Sequence, residues 1–69
     1  MGKLKRLSME IISLLCLEPL TFNQIVKEIT NEKEEDIINM LDILIEDGIV
    51  NKKGSKYGIT SKTSSIFAC

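Results

Sequence analysis

The 69-residue chain contains no histidine and no tryptophan, a single proline, one tyrosine and two phenylalanines. Its two cysteines, Cys16 and Cys69, stand far apart with no CxxC spacing. Without histidine or paired thiols no metal site is expected, and two distant cysteines imply no disulfide framework. Cys16 falls in the apolar run of residues 11–17 and reads as a small core residue. Cys69, the last residue, either stays free or cross-links two chains. Catalysis has no starting point: the serines lack a neighbouring base, and the four glycines form no phosphate-cradling loop. No enzyme, catalytic residue or cofactor is therefore expected. The run of residues 11–17 is too short to span a bilayer and is followed by Glu18-Pro19 rather than a small-residue cleavage site, so neither a membrane partner nor a signal peptide is expected. A cytoplasmic protein is the expectation.

What the chain does contain is 43% hydrophobic and 28% charged residues, the balance of a folded domain. A chain of this length buries only about 60% of the surface its unfolded form exposes, so its core must be efficient or be completed from outside. Leu4, Leu7, Ile11 and Leu14 recur at helical spacing, widened by Ile12 and Leu15, and predict a first helix over residues 4–17 that stops before Pro19. Thr21 and Gln24 have the spacing of a capping box, which starts a short second helix over about residues 22–30 with Ile25, Val26 and Ile29 inward. Asn31 with Glu34 offers another box, and Glu34, Glu35 and Asp36 suit the positive end of a third helix beginning near residues 32–34. Ile37, Leu41 and Leu44 form its inner stripe, and Gly48 is the expected left-handed cap. Residues 49–52 and 56–60 then read as two strands around a Lys53-Gly54-Ser55 turn. The expected organisation is one domain over residues 1–62 and a Ser/Thr-rich tail over 63–69, which Ile66 and Phe67 alone could anchor.

This order of elements resembles the winged helix-turn-helix superfamily over about residues 4–62. The likeness is carried by Leu20-Thr21-Phe22-Asn23-Gln24-Ile25, similar to the entry into the helix-turn-helix. It is carried also by residues 41–50, LDILIEDGIV, which look like the "LxxLxxxGLV" ending of the recognition helix, and by Tyr57-Gly58-Ile59-Thr60, similar to the "YxLT" return strand. The fold class this implies is mainly α with a small β-hairpin: three helices and a short wing. The resemblance implies a DNA-binding transcription regulator whose third helix enters the major groove while the hairpin lies along the backbone or minor groove. The superfamily also serves protein contacts, so the residues must decide. The bias toward Lys, Ile and Glu, with a single Ala and a single Gln, points to an AT-rich or thermophilic source of archaeal or viral type.

The net charge of −1 hides a segregation. From Glu32 to Asp47 seven acids stand against Lys33, a segment charge of −6, while eight bases and three acids elsewhere give +5. A duplex-binding role falls to the basic residues Lys3, Lys5 and Arg6 at the N-terminus, Lys27 on the second helix, and Lys52, Lys53 and Lys56 around the turn with Ser55; Asn23, Gln24, Lys33 and Asn39 add polar contacts. The alternative is a protein-interaction module in which Asp42 and Glu46, with Ile38, Ile43 and Ile45, meet a basic-apolar partner segment. Ile12 and Leu15 on the broad apolar face of the first helix are the expected seam of a homodimer.

Overall fold

In the computed structural model, residues 2–63 are described, with side chains from Arg6 onward. The elements run α1 (Gly2–Leu17), β1 (Leu20–Thr21), α2 (Phe22–Glu28), α3 (Glu34–Glu46), β2 (Val50–Lys53) and β3 (Lys56–Ile59). A helical turn at residues 61–63 follows. The architecture is mainly helical with a three-stranded antiparallel sheet of order β1-β3-β2. No described helix is long and apolar enough to cross a membrane.

Each helix start has its own cause. At α2 the capping box forms in full: the Gln24 N–H donates to Thr21 Oγ1 at 3.2 Å and the Thr21 N–H donates to Gln24 Oε1 at 2.9 Å. At α3 the expected box of Asn31 and Glu34 does not form. Lys33 is the N-cap and gives no side-chain hydrogen bond, so the first turn is favoured by the carboxylates of Glu34, Glu35 and Asp36 at the positive end of the dipole. The helix ends as expected. Gly48 has φ +77°, its N–H donates to the Ile45 carbonyl and the Ile49 N–H to the Leu44 carbonyl, the paired bonds of a Schellman motif.

The helices and sheet close over one core of Leu7, Ile11, Ile12, Leu15, Ile25, Ile29, Ile37, Met40, Leu41, Leu44 and Val50. This corrects the expected dimer seam: Ile12 and Leu15 are only 5% and 3% exposed, enclosed by their own chain. The positions α1 turns outward include Arg6, Met9, Ser13 and Leu17. A two-residue strand, β1, had no sequence signal; it pairs Leu20 with Tyr57 and Thr21 with Lys56. β3 thereby becomes the central strand.

Thr60 ties the end of β3 to the end of α3. Its N–H donates to the Ile49 carbonyl, its hydroxyl donates to the Gly48 carbonyl at 2.9 Å, and its oxygen accepts from the Thr63 N–H at 3.3 Å. Thr63 itself is buried. The domain therefore runs at least through residue 63, one beyond the expected boundary; Ile66 and Phe67 lie outside the described residues. Cys16 also departs from expectation. It packs against the core in the last turn of α1, but it is disulfide-bonded rather than a free thiol.

Candidate nucleic-acid interface

The hairpin turns on Gly54, whose φ of +63° a side-chain-bearing residue adopts only at a cost. Gly54 and Ser55 are the only residues between the strands, so the register is tight: Val50 opposite Ile59, Asn51 opposite Gly58, Lys52 opposite Tyr57 and Lys53 opposite Lys56. Side chains alternate across a sheet, and the three lysines accordingly divide. Lys53 and Lys56 share one face with Asn51 and Gly58. Lys52 shares the other with Tyr57 and, further along, buried Val50. The sequence places the lysines together around the turn; the strands send them to both sides of it.

On the core-facing side Lys52 Nζ lies 5.5 Å from the centre of the Tyr57 ring, within cation–π range. Tyr57 packs its ring against the core, and with Lys52, Ser55, Thr21, Phe22 and Asn23 it lines an open cleft of about 420 Å³. Of the expected contact residues, the cleft unites Asn23, Lys52 and Ser55, which come from the first turn of α2 and from the hairpin. Thr21, Phe22 and Tyr57, which were not among the expected contacts, join them. The β1–β3 pairing is what brings the start of α2 beside the hairpin, and a two-residue strand is too short to leave a periodic signal.

The lysines of the opposite face line a second groove, of about 530 Å³, whose other walls are Leu15, Cys16 and Leu17 of α1 with Glu18 and Pro19. Lys53 and Lys56 stand directly across from one another in it. Like charges at opposed positions of an antiparallel pair repel.

Other expected contacts lie elsewhere. Gln24 spends its carbonyl oxygen on the α2 cap and lines, with Lys27, a separate groove between α1 and α2 that also holds Leu14, Leu17, Leu20, Glu18 and Glu28. Arg6 is exposed on α1; the helix begins at Gly2, so Lys3 and Lys5 belong to its first turns rather than to a segment before it, and their side chains lie outside the description. Lys33 is exposed at the start of α3. Asn39, Asp42, Ile43 and Glu46 form the exposed side of α3, while Ile38 and Ile45, seven positions apart, run along one margin of its buried stripe.

No protein-family model, no curated protein and no solved structure matches the chain. Among the described residues no group of three or more His, Cys, Asp or Glu side chains could hold a metal ion.

Proposed function

We propose that this chain is a minimal winged helix-turn-helix protein, a transcription regulator that grips duplex DNA by its phosphates. The observation that carries the reading is the opposed pair Lys53–Lys56 at the hairpin tip, with Lys52 on the hairpin's other face. Such a pairing of like charges disfavours the free hairpin and is relieved by an anion lying across it. Lys52 and Ser55 extend the contact toward Asn23 at the start of α2. α3 plays no conventional reading part, because exposed carboxylates at Glu35, Asp42 and Glu46 repel a polyanion. Affinity then comes from phosphate contacts and is weakly sequence-dependent.

Fluorescence anisotropy with a random duplex at low salt tests this directly. Binding is expected below about 100 µM, the weak end of non-specific affinity, and its absence there removes the proposal. Replacing Lys52, Lys53 and Lys56 together by Gln is expected to lower the slope of log K against log salt by up to about 3.

A second reading has its own support. Ile38, Ile43 and Ile45 of α3 are 45%, 50% and 37% exposed beside the acidic residues, a surface suited to a basic-apolar partner segment. The double substitution Asp42→Lys, Glu46→Lys separates the two: a DNA binder gains affinity for duplex, whereas an interaction module loses its partner.

A further inference from the structure

We infer that Ser55 is a phosphoryl-acceptor site, and that its phosphate, seated against Lys52 in the cleft beside the hairpin, shuts that cleft to DNA. The second half rests on the DNA reading above; the first does not. Ser55 stands exposed in the turn, and its hydroxyl has no hydrogen-bond partner among the described residues. Ser13, Thr30 and Ser61 are exposed too, but none of them has a lysine within two positions on each side, as Ser55 has in Lys53 and Lys56. Lys52 and Lys53, exposed and just before Ser55, suit the carboxylate-lined acceptor cleft of a serine kinase.

In the transfer, Ser55 Oγ attacks the terminal phosphorus of a nucleoside triphosphate held by that kinase. The new O–P bond forms as the bond to the bridging oxygen breaks. The nucleoside diphosphate leaves with the electron pair, and the hydroxyl proton passes to a base of the kinase. The product has a seat prepared for it. Ser55 shares its cleft with Lys52 and Asn23, and none of the residues lining it is acidic, whereas Glu18 stands in both of the other grooves described above. A phosphate there sets a charge of about −1.5 to −2 and three acceptor oxygens beside the ammonium group that the unmodified hairpin holds over the Tyr57 ring. Lys52 then pairs within the chain, and a DNA phosphate approaching the cleft meets a like charge.

The test incubates the folded protein with ATP, Mg²⁺ and a purified serine kinase that selects basic residues before its target. A product heavier by one phosphate, about 80 Da, is expected. Fragmentation of the peptide that follows Glu46 should place it on Ser55, and Ser55→Ala should take up none. No uptake, or a phosphate on another residue, overturns the inference. The purified phosphoprotein is expected to melt about 2–5 °C above the unmodified parent, a gain absent from Lys52→Gln carrying the same phosphate. An equal gain in that variant, or none in the parent sequence, overturns the seating on Lys52. Against random duplex at low salt the phosphoprotein is expected to bind at least about tenfold more weakly than the unmodified form, with a salt slope shallower by about 2. Equal affinity of the two forms overturns the shutting of the cleft. If neither form binds duplex, the DNA reading falls and the shutting with it, while mass and melting still decide the acceptor site.

Discussion

At the scale of single residues, the clearest lever is Thr21, which serves both the α2 cap and the β1 pairing with Lys56. Thr21→Ala removes the hydroxyl acceptor and is expected to cost about 1 kcal/mol in urea unfolding, while Thr21→Ser keeps the box and stays within about 0.5 kcal/mol of the parent. Gly48 isolates a different effect. An added Cβ there meets nothing within 4 Å, so the expected loss of about 1 kcal/mol for Gly48→Ala arises from the φ of +77° alone, and Gly48→Asn is expected to lose less. Ile25 has no exposed surface, and Ile25→Ala is expected to cost about 2–5 kcal/mol, a large share of the stability of so small a domain. Urea midpoints at constant slope would check all three.

At the scale of elements, three helices and a hairpin are legible in the sequence because each carries a local signal. Thr21 with Gln24, the acids after Lys33, and Gly48 and Gly54 are short-range chemistry that neighbours hardly alter. β1 is not legible, since two residues have no period, and its pairing partner lies 35 or more positions away. The Asn31–Glu34 box reads correctly as a pattern yet fails as structure; helix entry is set at Lys33 instead, two positions beyond the would-be cap. The hairpin lysines are legible as a charge cluster but not as two faces, which only the register decides. For the same reason the cleft of Asn23, Lys52, Ser55 and Tyr57 was half visible: its residue types were evident, their convergence was not. At this scale Lys53→Glu is the sharpest probe of the opposed pair. It is expected to stabilise the hairpin by a few tenths of a kcal/mol, up to about 1, by giving Lys56 an opposite charge, while weakening duplex binding. A variant both less stable and tighter on DNA would contradict the role given to that pair.

At the scale of the whole molecule, the short chain raises the question of what completes its core. The apolar width of α1 suggests a second subunit, but Ile11, Ile12 and Leu15 are all buried in the core of one chain. Leu17, 83% exposed, is the most exposed apolar side chain among the described residues of α1. Light scattering coupled to size exclusion is therefore expected to return the monomer mass of 7.8 kDa, in oxidised protein and without DNA. A stable dimer would locate a seam at Met9 and Leu17 instead, and Leu17→Lys would then dissolve it. With β3 in the middle, β2 has an outer margin of backbone N–H and C=O groups that no described strand covers, the kind of margin on which another extended chain can nucleate stacking. Lys52 and Lys53 sit on that margin. Whatever they bind, their ammonium groups discourage strand addition, so replacing them with Val or Thr is expected to yield fibrillar or insoluble protein where Gln yields a soluble one.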